Sequence, residues 1–330
     1  MNQIGLSTAL ALAAFTPFIT RGQDLSDNSN PNRFSFGPTF GINFKAHFDN
    51  NVNPGPATGD ANHNYDDGYV RVDSSGDAAG FTQNWGYQNA SQAVGNIMQF
   101  HAIQDSSASS STTGDPQYGG ELVYQRVIGS FSGQSGDWGI ESGLGLTEID
   151  LRGNLNGAGT VTTDAYPLNG VIPPGPGYKG TASGPGAVIG DTPTRTVTAA
   201  TLVGYQKLTG QLFSLRVGPF GEWNFTHKLR LAASVGLTLA PTTVDYDFSE
   251  TATLAGGGVI SENGHSSRTA LLYGPYVGAM LHYDLNESWG VFVGARFQNL
   301  TDLNQSIGGR TAQLDPGVTL YATAGLTWKF

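Results

Sequence analysis

The final fourteen residues, GVTLYATAGLTWKF at 317–330, constrain the fold more than any other stretch of the chain. Successive side chains of an extended strand point to opposite faces. Here every even-numbered position from 318 to 330 is apolar, and the odd-numbered positions from 319 to 329 are threonine, tyrosine, glycine or lysine. Such a strand belongs either to a soluble β-sandwich or to a barrel that turns its apolar face toward lipid.

Composition removes several other classes of protein. The chain has 330 residues with 47 glycines, 17 phenylalanines, 13 tyrosines and no cysteine, which favours a β-rich fold and excludes disulfides, thiolate metal sites and cysteine catalysis. After the N-terminus no stretch approaches the ~18 consecutive apolar residues of a spanning helix. The net charge of −10 disfavours a nucleic-acid partner. We predict no cofactor and no metal site.

The N-terminus has the pattern of a secretory leader. Residues 4–15 are mostly apolar, Pro17 interrupts them, and 20–22 place small residues before a cut at Gln23, although no lysine or arginine precedes the apolar core. We therefore predict a signal peptide at 1–22 and a polar periplasmic tail at 23–32.

Residues 33–48 show the alternation most clearly. Phenylalanines at 34, 36, 40, 44 and 48 share one predicted face, and Lys45 lies on the other. A charge on the lipid side of a barrel would cost on the order of 2–4 kcal/mol near the midplane, so we expect the charges opposite each apolar face to point into the lumen. These predicted lumen-facing charges are Lys45, Glu141, Arg216, Glu222, Arg230 and Arg296.

Long segments rich in Gly, Ser, Asn and Pro separate the predicted strands of an all-β, antiparallel, up-and-down transmembrane barrel at 33–330. We predict that they form external loops near 49–79, 105–118, 152–194, 249–267 and 303–316. Short turns such as 226–228 are predicted at the opposite end. If both termini lie on the periplasmic side, the strand count is even. Ten strands satisfy every connection, with extra strands at 80–88 and 93–104, and eight or twelve are the alternatives.

The aromatic end of the chain adds a resemblance. Trp328 and Phe330 share the apolar face, and this pattern resembles the terminal strand of Gram-negative outer-membrane β-barrels, where a final aromatic residue is part of the assembly signal. The whole chain is most similar to small OmpA- or OmpW-like barrels. The resemblance implies the bacterial outer membrane, neighbouring outer-membrane lipids and lipopolysaccharide, and the barrel assembly machinery as a partner. It supplies no substrate, because a fold does not determine a function.

Three functions remain open from the sequence. The favoured hypothesis is a structural or surface-interaction barrel whose lumen is filled by ion pairs, such as one between Glu222 and Arg230. The first alternative is a narrow porin-like channel in which the same charges select small solutes. The second is an outer-membrane hydrolase resembling the omptins, in which Asp245 or Asp247 beside His265 would activate water. No second acidic pair accompanies these residues, so we favour a protein that is not an enzyme.

Overall fold

The computed structural model describes residues 31–74, 79–114, 116–131 and 136–330. The predicted signal peptide and most of the predicted tail at 23–32 lie outside the described residues. The strands of the first half of the chain are β1 Asn32–Ile42, β2 Lys45–Asn51, β3 His63–Asn64, β4 Gly68–Val70, β5 Phe81–Thr82, β6 Trp85–Tyr87, β7 Ala93–Val94, β8 Ile97–Thr113, β9 Gln117–Ser130 and β10 Gly136–Pro167. Those of the second half are β11 Ile189–Gly190, β12 Thr194–Asn224, β13 Leu229–Leu254, β14 Val259–Asp284, β15 Trp289–Asn299, β16 Leu303–Ile307, β17 Arg310–Asp315 and β18 Val318–Lys329. Helical structure among the described residues is limited to the 3₁₀ turn Ala90–Gln92, which is too short to cross a membrane.

Eight strands close into an antiparallel ring in the order β1, β9, β10, β12, β13, β14, β15 and β18, with β18 pairing again with β1. We call this ring the lower tier. It is bounded by Asn32 and Lys329 at one end and by Ile42 and Val318 at the other.

The outer face of the lower tier is apolar. On β10 the exposed side chains are Trp138, Ile140, Leu144 and Leu146, each 42–50% exposed. Glycines and charged residues lie between them on the inner face, as the alternation of the sequence predicts. A closed antiparallel ring with an apolar outer band satisfies all its backbone groups internally and can span a bilayer. The prediction of an all-β transmembrane barrel is therefore confirmed.

The ring has eight strands, the lower alternative, instead of the favoured ten. The segment 80–88 forms two short strands outside the ring. Trp85 and Tyr87 in the second of these strands are buried, with exposed fractions of 0% and 4%. The segment 93–104 lies mostly in β8, and β9 is the next strand along the chain. These aromatic residues pack against protein instead of lipid, so they do not form lipid-facing strands.

A second barrel, the upper tier, stands on the first. Four strands of the ring, β10, β12, β13 and β14, continue upward without interruption, and the other four are replaced by β8, β2, β17 and β16. Each replacement follows or precedes its lower partner after a break of two or three residues, as between Ile42 and Lys45. Between β14 and β16 the described contacts are side-chain hydrogen bonds and not a backbone ladder. Gln305 Nε2 donates to Ser266 Oγ at 2.8 Å, and Arg268 Nη1 donates to the Asn304 carbonyl.

The two tiers have opposite polarity. Above Leu146 the outward side chains of β10 become polar, with Glu148, Asp150 and Arg152, while Ile149 and Leu151 are buried inside. Water surrounds a barrel outside the bilayer, so its apolar side chains pack inward as in a soluble protein.

This second tier corrects the predicted loops. The predicted loop 152–194 continues as strand to Pro167, and 249–267 and 303–316 are hairpins with turns at 255–258 and 308–309. Their backbone groups pair in ladders even though their composition resembles that of loops.

A cap formed by 52–74, 79–96 and 168–193 covers the upper end. It contains a small sheet of β3, β4 and β6 and a separate pair of β5 and β11. Its core includes Trp85, Phe100 and Tyr166, each 0% exposed, so the cap packs directly on β8 and β10.

Candidate functional site

The interior of the lower tier contains a buried ion network at the end bounded by Asn32 and Lys329. Arg33 Nη1 lies 2.5 Å from Glu222 Oε2, and Arg230 Nη1 lies 3.1 Å from Glu222 Oε1. Arg230 also reaches Asp284 at 2.9 Å, and Lys329 Nζ lies 3.0 Å from the same carboxylate. The structure thus pairs Glu222 with Arg230 across the hairpin and adds Arg33, Asp284 and Lys329.

A second network lies higher in the lower tier. Glu121 Oε2 accepts from Arg216 Nη1 at 2.8 Å and from Arg296 Nη1 at 2.5 Å. Arg216 Nε also lies 3.4 Å from Glu141, whose other oxygen accepts from Gln125 at 2.8 Å. Two cations face two carboxylates, so charge balances within the bore, as buried ions require. Sequence reasoning missed Glu121, although Glu121, Val123 and Gln125 alternate inward on β9.

An apolar core fills the upper tier above these ions. Leu151, Leu208 and Tyr246 are 0% exposed, and Phe44 and Phe48 are 1% exposed. The Phe48 and Tyr246 rings stack at 6.1 Å. These side chains come from opposite sides of the ring and meet in one buried apolar cluster.

Above the apolar core, Arg310 joins the barrel to the cap. Its Nη2 donates to Glu250 at 2.8 Å, its Nη1 donates to Asp66 of the cap, and its guanidinium carbon lies 4.4 Å from the Phe248 ring centre. Burial raises the pKa of Asp66 to about 6, although Arg310 opposes that rise. Burial, helped by the charges of Asp66 and Asp67, raises the pKa of Glu262 to about 7. Glu262 lies directly opposite Glu250 in the β13–β14 ladder.

Another polar cluster holds the cap from the other side. Asp164 at the upper end of β10 accepts from Arg195 Nε at 2.7 Å and Arg195 Nη2 at 2.6 Å. The Tyr65 hydroxyl donates to Asp164 at 2.6 Å and lies 2.7 Å from the Tyr166 hydroxyl. Burial raises the pKa of both tyrosines. Sequence reasoning missed this cluster because it assigned 152–194 to a loop.

Lys45 is the predicted lumen charge that the structure places elsewhere. Asn43 has a positive φ of 74°, and after this residue Phe44, Ala46 and Phe48 are buried inside the upper tier. Lys45 therefore lies on the outward face, opposite Thr113 of β8. The inference failed because the break between β1 and β2 reverses which parity of residue faces inward. Glu141, Arg216, Glu222, Arg230 and Arg296 all lie inside the ring.

The residues of the predicted hydrolase lie on the outer flank of the upper tier. His265 Nδ1 is 2.7 Å from Asp247 Oδ1, but their side chains are 62% and 40% exposed. Hydrogen bonding to Asp247 raises the pKa of His265. Asp245 lies opposite Ser267 on the same outward face. Among the described residues, no group of three His, Asp or Glu side chains is placed to hold a metal ion.

The predicted assembly residues form an aromatic cluster outside the lower tier. Trp328 and Phe330 stack with ring centres 4.7 Å apart, and Phe34 and Trp289 stack against them at 5.5 and 6.4 Å respectively. Aromatic side chains commonly mark the interfaces of a barrel's apolar band. Their role in assembly stays a prediction.

Comparison with known proteins gives weak likenesses. No family model and no curated protein matches the chain. The outer-membrane protease OmpT of Escherichia coli is similar at 12% identity, with 94% of this chain and 99% of that chain covered and a TM-score of 0.33. The outer-membrane protein OprG of Pseudomonas aeruginosa gives 10% identity, coverages of 93% and 99%, and a TM-score of 0.34. Ail, the attachment invasion locus protein of Yersinia pestis, gives 10% identity, coverages of 89% and 99%, and a TM-score of 0.24.

Proposed function

We propose that this outer-membrane β-barrel conducts no solutes and acts through the surface of its upper tier and cap, as a structural or surface-interaction protein. The observation that carries the proposal is that layers of different chemistry lie one above another in the bore. Two ion networks fill the lower tier, an apolar core fills the upper tier, and the cap covers the top.

The layers act in series, so a solute would have to pass all of them. The ion networks hold their side chains by short charge-assisted hydrogen bonds, which are the strongest in proteins. The apolar layer has no polar partners for a hydrated solute and excludes water. A narrow porin-like channel, the first alternative, would need a continuous polar path through residues such as Phe48 and Tyr246, which are 1% and 0% exposed.

The outer surface supports a contact role. In the proposed orientation the chain termini face the periplasm and the cap faces the outside. Val94, Ile97 and Ile172 of the cap region are 53%, 40% and 89% exposed. Exposed apolar side chains at the tip of a protein are suited to contact with another surface.

Planar-bilayer recording of the purified, folded protein tests the proposal. We expect no steady conductance. Because the closures are in series, replacing Arg216, Arg230 and Arg296 together by alanine should also leave the bore closed while Phe44, Phe48 and Tyr246 remain. A stable large conductance from the unmodified protein would overturn the proposal and favour the porin-like channel. Heat-dependent migration on gels identifies folded barrels before each recording.

A hydrolase is the second candidate, favoured by the 2.7 Å contact between Asp247 and His265. Its test is hydrolysis of peptide and ester substrates by the folded protein. Activity that disappears in both Asp247→Asn and His265→Gln, and persists in Asp245→Asn, would support it. The high exposure of the pair favours a solvated ion pair, whose contribution to stability is small.

A further inference from the structure

We propose that two adjacent turns of the cap region insert into the surface of an opposing phospholipid bilayer whose headgroups carry no net charge. We call these turns, 94–97 and 168–172, the apolar tip. The inference rests on the proposed function and deepens it, because it names the kind of surface that the cap contacts.

The register of the upper strands places the apolar tip far from the lower tier. The β13–β14 hairpin turns after Leu254, which is level with Ala200 of β12 and, through it, with Gly159 of β10. Strand β10 continues from Gly159 to Pro167, about 25 Å further along the strand, and ends paired with Ile97 of β8. Both turns of the tip adjoin that last pair, so an approaching surface meets them before it meets the hairpin.

The exposed side chains of the apolar tip are aliphatic and uncharged. Val94 and Ile97 are directly opposite in the β7–β8 hairpin, and Ile172, 89% exposed, projects from the second turn. Neither 88–99 nor 168–178 contains an aspartate, glutamate, lysine or arginine, in a chain whose net charge is −10. An anionic surface repels the chain as a whole, and the tip offers no cation to bind it. A bilayer without net charge is the lipid surface that fits both properties.

The backbone of the apolar tip can enter an apolar environment at low cost. Asn96 joins the two turns, since its carbonyl accepts from the Leu168 amide and its Oδ1 accepts from the Gly170 amide, both at 2.9 Å. The Val171 amide donates to the Leu168 carbonyl at 2.9 Å, and the prolines of 173–176 have no N–H to donate. Unpaired N–H groups make a backbone costly to place in lipid, and the tip exposes few of them.

The return of the second turn is fixed to the core of the cap. The Tyr87 hydroxyl donates to the Pro174 carbonyl, and the Tyr87 carbonyl accepts from the Gly177 amide at 3.0 Å. Tyr87 is itself buried and stacks on Trp85 with ring centres 5.8 Å apart. The turn therefore presents Ile172 in one arrangement, so little conformational entropy is lost when the tip inserts.

The shape of the apolar tip favours a bilayer over a protein partner. A protein interface of ordinary size buries about 800 Å² on each partner and needs a surface of matching shape. Three aliphatic side chains on two projecting turns offer far less area and no groove. A fluid bilayer surface conforms to a projection of this kind, and apolar groups enter it to a depth of about 5–10 Å.

Vesicle capture by the full-length barrel tests the inference. The folded protein is held in nanodiscs, and its apparent affinity for protein-free phosphatidylcholine vesicles is measured. The site variant is Val94→Ser with Ile172→Ser. The matched control is Val203→Ser with Val259→Ser, which removes aliphatic side chains that are 57% and 63% exposed on the flank of the upper tier. We expect the site variant, but not the control, to capture vesicles about 10- to 100-fold more weakly, the range for withdrawing an aliphatic side chain from an apolar environment.

Two labelled cysteines locate the contact without removing the aliphatic side chains. The chain has no cysteine of its own, and a Cβ added at Gly175 or at Gly256 meets no atom within 4 Å. The fluorescence of an environment-sensitive dye on Gly175→Cys, beside the apolar tip, should shift to the blue when vesicles bind. The same dye on Gly256→Cys, in the turn of the β13–β14 hairpin, should not shift.

Salt separates apolar insertion from charge attraction in the unmodified protein, whose behaviour does not depend on the variants folding. Raising NaCl from about 0.1 to about 1 M shortens the Debye length from about 10 to about 3 Å, and capture should not weaken. Replacing part of the phosphatidylcholine by anionic phosphatidylglycerol should not strengthen it. Capture that is lost in high salt, or that requires a protein on the vesicles, would overturn the inference.

The variants provide the other decisive outcomes. Equal capture by the site and control variants, or an unshifted dye on Gly175→Cys with vesicles bound, would overturn the inference. A closed barrel that captures no protein-free vesicles would also overturn it and leave the proposed function intact. A conducting barrel that captures them through the apolar tip would refute only the proposed function.

Discussion

Replacing Arg310 by methionine should release the cap from the barrel. Arg310 is 1% exposed and holds two carboxylates, Asp66 of the cap and Glu250 of β13. Methionine keeps much of the side-chain length but removes the charge, so both carboxylates remain buried without a cation. Breaking a buried ion pair by removing one partner costs about 3–5 kcal/mol.

Amide hydrogen exchange gives a local measure of this loss. The amides of Ile103 and His101 donate to Asp66 at 2.7 Å and to Asp67 at 2.8 Å, so they exchange when the cap detaches. At about 1.4 kcal/mol per factor of ten, their protection should fall by about two to nearly four orders of magnitude. The experiment belongs at pH 8, above the pKa of about 6 that Asp66 has in the unmodified protein.

A charge-compensated variant separates lost charge from lost packing. Combining Arg310→Met with Asp66→Asn and Glu250→Gln removes all three charges, and we expect much of the protection to return. The amide of Ala232 in the lower tier should keep its protection in every variant and reports an intact barrel. If the exchange protection of the Ile103 amide in Arg310→Met were within about threefold of that in the unmodified protein at pH 8, the ion pairs of Arg310 would not hold the cap.

Three further outcomes follow from the structure. In the folded protein the pKa of Glu262 is raised to about 7, so its contribution to stability is fully present below its unfolded pKa and is lost as pH rises toward 7. The hydrogen-exchange protection of the cap should therefore be higher at pH 5 than at pH 8, by about 1 kcal/mol after discounting for solvent screening. Glu262→Gln should reduce this difference. Gly274→Ala should lower the yield of folded barrel, since its methyl would lie 1.7 Å from a carbonyl of β15, whereas Gly278→Ala should be tolerated. External protease on whole cells should cut within 168–193 and spare 225–228.

Each of these outcomes has a result that contradicts it. A pH difference that is unchanged in Glu262→Gln would assign it to other groups. Equal yields of the two alanine variants on heat-modifiability gels would show that the close approach of β14 and β15 is not needed for folding. Cleavage at 225–228 in intact cells would reverse the orientation of the barrel.

The lower tier could be predicted from the sequence because lipid imposes one rule on all its strands. Apolar residues such as Ile140 and Leu144 must alternate with polar or small ones, and this alternation is visible without any tertiary information. The buried charges Glu141 and Arg216 followed from the same rule. Their partners, including Glu121, could not be assigned because pairing depends on the register between distant strands.

The upper tier could not be predicted because apolar and polar residues alternate there with the same period, but the apolar side chains point inward instead of outward. Lys45 illustrates the difficulty. The odd-numbered residues of β1 point inward, but after the break at Asn43 the odd-numbered residues of β2, including Lys45, point outward. Hairpins such as 303–316 have loop-like composition, and only their pairing with neighbouring strands distinguishes them from loops. A change of solvent along the strand, from lipid to water, leaves no single-residue signal.

The uninterrupted length of β10 sets how far the cap stands from the cell. From Glu148 to Pro167 the strand runs on for about 60 Å, which a tilt of about 40° converts to about 45–50 Å of height above the hydrocarbon. Four such strands brace one another laterally, so this reach is held by a rigid stalk and not by a flexible tether. In the proposed orientation, a partner anchored in an opposing surface would therefore meet the cap before it reached the flank of the stalk.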